Sequence, residues 1–195
     1  MSLAEQRYTY ADYNTWEDYD ESGNQIRYEL IDGVPYALAS PSRRHQEILG
    51  ELFGQFRDFL KGKPYKVFVA PLDVRLNAQN TNDILDDNVL QPDLFIVCDR
   101  RKLDNNSIIG APDMIVEILS PRTMRHDKFI KYQKYQHAGV REYWIIDPEN
   151  RSLQVCLLEN GKYTSTTYND NDTVPVHILE GCKINLSDVF AQSDF

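Results

Sequence analysis

Cysteine is scarce: Cys98, Cys156 and Cys182 are unclustered and odd in number. That excludes a disulfide framework or a cysteine-rich zinc site and fits a reducing cytoplasm. No uninterrupted apolar run approaches the ~18 residues of a membrane span. The opening stretch, MSLAEQRYTYADYNTWEDYDE, has no apolar centre and is too acidic for a secretion signal. Glycine-rich phosphate loops, a serine-nucleophile elbow and a Cys-x-x-Cys pair are all missing. Positive charge is also short: 21 Lys and Arg against 30 Asp and Glu give a formal charge of −9. Phosphate binding by the whole surface is therefore excluded, and any such binding must use a local basic patch.

What is present is ordinary globular composition over 195 residues, 42% hydrophobic and 26% charged, enough for one domain. Thr9 caps a short acidic, aromatic helix expected to end near Asp20, and residues 21–24 form a turn. Two β-rich runs, 26–31 and 34–38, flank Asp32-Gly33, whose tolerance of positive φ predicts a hairpin. His45, Ile48, Leu49, Leu52, Phe53, Phe56 and Leu60 keep helical spacing over residues 42–61. A strand is expected over 66–76, then a mobile Asn/Asp-rich loop over 77–88. Gln91–Val97 and Met114–Leu119 read as buried strands, Arg125–Ala138 as a helix stopped by Gly139, and residues 143–146 and 153–158 as strands. In the tail, 174–179 and 184–186 are weak strand candidates. The order predicts an α/β domain with a mixed central sheet.

Three constellations could carry chemistry. Asp93 opens one strand and Glu117 sits 24 residues later inside the apolar run Met-Ile-Val-Glu-Ile-Leu. Strand alternation sets Asp113, Ile115, Glu117 and Leu119 on one face. A carboxylate in such a run is costly unless paired or bound to a cation. Asp93 and Glu117 therefore suit Mg²⁺, or else Glu117 pairs with a base and Asp93 merely begins its strand. Second, residues 120–137 hold five bases (Arg122, Arg125, Lys128, Lys131, Lys134) against one acid, Asp127. They form a phosphate-facing patch or a solvated helix face. Asp127, Lys131 and Tyr135 share one helical face. Third, His45 and Glu29 are secondary candidates, as base, ligand or added carboxylate, each with a structural alternative.

These residues fall into an ordered set: Tyr-Glu-Leu-Ile-Asp-Gly (28–33), Ser-Pro-Ser-Arg-Arg-His-Gln (40–46), Pro-Leu-Asp-Val-Arg-Leu (71–76), Gln-Pro-Asp (91–93), Gly-Ala-Pro-Asp-Met-Ile-Val-Glu-Ile-Leu-Ser-Pro (110–121), Asp127, Lys131, Tyr135 and Ala-Gly-Val-Arg-Glu-Tyr-Trp-Ile-Ile-Asp-Pro (138–148). The set covers nearly the whole chain and resembles the Uma family of restriction-endonuclease-like proteins, within the PD-(D/E)XK nuclease superfamily. The resemblance implies a restriction-endonuclease-like α/β fold, a mixed central sheet flanked by helices. An N-terminal helix and hairpin (1–40), a nuclease core (41–160) and a C-terminal extension with added strands (161–195) would make one domain.

The resemblance also implies Mg²⁺- or Mn²⁺-dependent phosphodiester hydrolysis, with DNA as the expected substrate. Pro92-Asp93 matches one half of the superfamily motif and Glu117 the other, but Leu119 stands where the lysine belongs. The following helix offers the amine: Lys131 first, Lys128 second. Arg122, Arg125 and Lys134 would contact nucleic acid, and a homodimer would supply two sites for two strands. The rival expectation is an inactive nuclease-fold module that binds nucleic acid or protein. Hydrolysis of another phosphorylated substrate is a third.

Overall fold

The computed structural model describes residues 6–16, 26–120 and 126–191. Helix α1 (Tyr10–Tyr13) begins at Thr9, whose backbone N–H and Oγ1 both donate to the Asp12 carboxylate at 2.8 and 2.9 Å. It is one turn long, shorter than expected, and the turn expected at 21–24 lies outside the described residues. Strands β1 (Arg27–Ile31) and β2 (Val34–Leu38) pair antiparallel around Asp32 (φ +50°) and Gly33 (φ +72°). Both turn residues thus adopt the left-handed backbone that the Asp-Gly pair predicts.

Helix α2 (Arg43–Leu60) starts where Ser42 Oγ accepts the His45 backbone N–H at 3.2 Å. Its buried stripe of His45, Ile48, Leu49, Leu52, Phe56 and Leu60 repeats at helical spacing.

Residues 66–76 are not one strand. They divide at Pro71 into β3 (Lys66–Val69) and β4 (Asp73–Arg75), which belong to different sheets. Then come β5 (Val89–Leu90), β6 (Leu94–Val97), β7 (Ser107–Ile109) and β8 (Met114–Ile118). A π-helical turn, His126–Lys131, runs into α3 (Tyr132–Ala138), which ends on Gly139 at φ +86°. Strands β9 (Glu142–Asp147), β10 (Ser152–Glu159) and β11 (Lys162–Asn169) form a meander. The pair β12 (Thr173–Pro175) and β13 (Lys183–Asn185) and helix α4 (Leu186–Ala191) follow.

The central sheet has the order β11-β10-β9-β8-β6-β3 and the second sheet β2-β1-β5-β4-β7. Both are mixed: β8 and β9 run parallel, as do β4 and β7, and the other described pairs are antiparallel. The parallel β8–β9 pair requires a crossover, and α3 supplies it.

Strand alternation splits the core in two. On one face Leu94, Ile96, Met114, Val116, Trp144 and Ile146 pack against α2, α4 and β13. On the other, Phe95, Val97, Ile115, Leu119, Tyr143 and Ile145 meet Ile31, Val74 and Leu90 of the second sheet, with Tyr135 of α3. Each fully buried side chain of this size contributes about 1.5–3 kcal/mol relative to exposure. The central sheet is thus covered on both faces, as its near-continuous apolar strands require.

The 77–88 segment is not left loose. Arg75 is buried, stacks over the Tyr10 ring at 3.9 Å, and donates to the Thr81 carbonyl (3.1 Å) and the Asp83 carbonyl. The Tyr10 and Ala11 backbone N–H groups donate to the Asp86 and Ile84 carbonyls. One guanidinium thereby ties the loop to the N-terminal segment.

Candidate active site

The candidate site lies where the ends of β6 and β8, the hairpin and α3 converge. Glu117 is on the face of β8 turned toward the second sheet, and Glu29 comes from β1 in that sheet. Lys131 comes from the end of the π-helical turn. Its Nζ lies 2.9 Å from Glu29 Oε1 and 3.0 Å from Glu117 Oε1, with all three side chains at most 5% exposed. One turn later, the Tyr135 hydroxyl donates to the same Glu117 Oε1 at 2.7 Å. The Gln91 backbone N–H donates to Glu29 Oε1 at 2.9 Å. Glu29 Oε2 is buried with no hydrogen-bond partner among the described residues. Within this trio two carboxylates share one ammonium, away from solvent.

Asp93 stands one residue before β6. Extending the Leu94–Val116 pairing by one residue sets it opposite Glu117. Its Oδ2 accepts the Ile118 backbone N–H at 2.7 Å and lies 3.1 Å from His45 Nε2. His45 is positioned by the first turn of α2, and its Nδ1 is buried without a partner among the described residues. Two carboxylates bare and facing one another are therefore not what the fold builds. Each is already held, Glu117 by Lys131 and Tyr135, Asp93 by His45 and a backbone N–H. Among the described residues, no three His, Cys, Asp and Glu side chains form a ready-made metal cage.

The bases of the predicted patch are largely spoken for. Lys128 Nζ lies 3.7 Å from Asp147 Oδ2. Burial pushes the Asp147 carboxyl up, but Asn150 hydrogen bonds and Lys128 hold it below its ordinary value overall. Lys134 bonds to Asp32 in the hairpin turn, and that hydrogen bond lowers the Asp32 pKa against the effect of burial. Arg122 and Arg125 lie outside the described residues, as does the side chain of Asp127. Leu119, at the motif's lysine position, is buried in the apolar core.

Sequence reasoning missed the groups that support these residues. Tyr135 was visible one turn beyond Lys131, yet only its face was legible. Burial, and next the adjacent Glu117 charge, hold its hydroxyl well above the ordinary tyrosine range. Asp73 was hidden in Pro-Leu-Asp-Val-Arg-Leu. Its Oδ1 accepts from the Tyr13 hydroxyl and from Gln91 Nε2, both at 3.0 Å. Burial raises the pKa of both Asp73 and Tyr13. Tyr13, Asp73 and Gln91 thus tie the N-terminal segment to the residue whose backbone holds Glu29.

Comparison with known proteins places the chain in a class. A crystal structure of a "putative nuclease" from Anabaena variabilis superposes with a TM-score of 0.71, covering 94% of this chain and 98% of that one at 19% identity. The fold is therefore the nuclease-like α/β fold expected above. Residues 10–187 match the family described as "Uma2: Putative restriction endonuclease", and the chain belongs to that family. An uncharacterised protein of Synechocystis is 29% identical over 164 residues, covering 83% of this chain and 80% of that protein. Among the described residues, no helix is long and apolar enough to cross a membrane.

Proposed function

We propose that the protein is a Mg²⁺- or Mn²⁺-dependent nuclease that hydrolyses phosphodiester bonds of DNA. One observation carries the reading: Lys131 bridges Glu29 and Glu117 in a buried cluster where one carboxylate oxygen, Glu29 Oε2, has no hydrogen-bond partner among the described residues. A buried carboxylate oxygen left without a partner favours a further cation. The donors are hard oxygens, and Mg²⁺ is commonly held by only one or two protein carboxylates beside water and substrate phosphate. The residues fit the ion on that ground. Asp93 and Glu117 would hold it, with Glu29 beside them. When bound, it supplies Lewis-acid polarisation of the phosphate and a more acidic water.

The chain's own residues do the rest. His45 and the Ile118 N–H fix the Asp93 carboxylate. Lys131 provides the amine that Leu119 cannot, orienting the attacking water and facing the charge that develops on the phosphate. Lys128, engaged with Asp147, is the weaker candidate for this role. Arg122, Arg125 and Lys134 are proposed to meet the nucleic-acid backbone, Lys134 by exchanging Asp32 for a phosphate. Cutting both strands needs two sites, which a homodimer would supply.

The test is a cleavage assay on single-stranded, duplex and branched DNA with Mg²⁺, Mn²⁺ or EDTA, run beside Asp93→Ala. Metal-dependent cutting lost in Asp93→Ala is expected. Melts with and without Mg²⁺ accompany it: the ion should raise the melting temperature of wild type and not of Glu117→Ala. An equal response in both proteins would place the metal elsewhere.

A further inference from the structure

We infer that Tyr135 is a positioning residue: its hydroxyl holds Glu117 in the orientation that a divalent cation needs, independently of Lys131. The inference rests on the cation reading above and deepens it. Lys131 and Tyr135 are one turn apart on the same helical face, and both donate to Glu117 Oε1, at 3.0 and 2.7 Å. Two donors on one oxygen are more than charge neutralisation requires. The lysine has a second duty, because it also contacts Glu29, and on the proposed function it faces the phosphate. The tyrosine has none. It is fully buried, and its ring is wedged edge-on against Tyr143 at a centroid distance of 5.0 Å. Tyr143 in turn meets Tyr132 and Tyr163. A rigid aromatic stack thus aims one hydroxyl at one carboxylate oxygen. Glu117 keeps its rotamer when the flexible ammonium departs, which is the usual work of a group behind a metal ligand.

The experiment is calorimetric titration of the full chain with Mn²⁺, in wild type, Glu117→Ala, Tyr135→Phe and Tyr163→Phe, with DNA-cleavage kinetics alongside. Tyr163 is the control: it belongs to the same stack, but its hydroxyl donates to the Val140 carbonyl at 2.9 Å, not to Glu117. Tyr135→Phe is expected to weaken Mn²⁺ binding by about 10–100-fold. It should lower kcat with little change in the KM for DNA, while Tyr163→Phe binds as wild type. Should Tyr135→Phe bind Mn²⁺ as wild type does, or should both Phe variants weaken equally, the inference is overturned.

A measurement on wild type covers the case in which Tyr135→Phe does not fold. With tyrosine labelled singly at the 13Cζ position, the Tyr135 resonance should move on Mg²⁺ addition and that of Tyr163 should not. A still Tyr135 resonance at Mg²⁺ saturation also overturns the inference. If wild type binds no Mn²⁺, or Glu117→Ala binds it equally, the cation reading itself fails first.

Discussion

Replacing Lys131 with methionine removes the ammonium and keeps most of the stem. Glu29 and Glu117, 1% and 4% exposed, are then left facing each other without their shared counter-ion. Breaking a buried ion pair from one side costs about 3–5 kcal/mol, because the stranded charge keeps its desolvation penalty. In a chain of this length each kcal/mol moves the melting temperature by roughly 2–4 °C. The expected loss is therefore roughly 6–20 °C in EDTA. Adding Glu29→Gln should restore part of it, since one of the stranded charges is gone. Lys128→Met, at a half-exposed ion pair, should cost at most about 1 kcal/mol. Cleavage should fall by ~10²–10³ in Lys131→Met, the usual consequence of losing a preorganised group that faces transition-state charge. Calorimetric melts in EDTA and single-turnover cleavage with Mg²⁺ measure the two effects. If Lys131→Met melts with wild type in EDTA, the buried-triad reasoning is wrong. If it cuts at the wild-type rate while Lys128→Met is dead, the amine has been assigned to the wrong lysine.

Two further outcomes follow from groups outside the site. Burial pushes the Asp86 carboxyl from 3.8 up to about 6, and its Oδ2 has no partner among the described residues. The folded state therefore holds the proton more tightly than the unfolded chain, so this group stabilises below about pH 4 and loses that contribution as pH rises through about 6. Asp86→Asn should flatten the profile between those values and add up to about 3 kcal/mol near neutrality. Urea melts across that range decide it, and an unchanged pH slope in the variant would refute it. Gly33→Ala should destabilise the hairpin by about 1–3 kcal/mol, the cost of a left-handed non-glycine residue. Its φ is +72°, and a Cβ there would lie 3.0 Å from both Arg7 Cβ and the Tyr8 carbonyl oxygen. Denaturant unfolding checks this, and a variant as stable as wild type would contradict the turn assignment.

The elements that were legible in the sequence are those with a local cause. Asp32-Gly33 announces its hairpin, Ser42 and the 3.6-residue stripe announce α2, and short, largely apolar runs announce β6, β8 and β9. What was illegible depends on partners far away. The division at Pro71 sends two halves of one apparent strand into separate sheets, a choice made by neighbours rather than by residues 66–76. Strand β11 is mostly exposed and rich in threonine, so it lacks an apolar run, and only pairing with β10 defines it. The three-residue β7 and the six-residue α4 are too short to show a period. In the site, Glu117 was conspicuous as a charge in an apolar run, and the structure does bring Glu29, Lys131 and Glu117 together. That Lys128 and Lys134 turn to Asp147 and Asp32 was hidden, because their partners stand at unrelated positions.

The contact between Lys131 and Glu29 also joins the two sheets, since the lysine belongs to the crossover of one and the glutamate to a strand of the other. Positions 29 and 131 must both arrive before that contact can form, and positions 93 and 117 before the cluster is complete. Pairings this distant along the chain form late in folding, after loop-closure entropy has been overcome. A chain still on the ribosome, or one clipped within either sheet, would hold separate fragments of the site but not the joined cluster. On the proposed nuclease function, competence to cut would come only with the completed fold, and half-made copies of the protein would leave DNA intact.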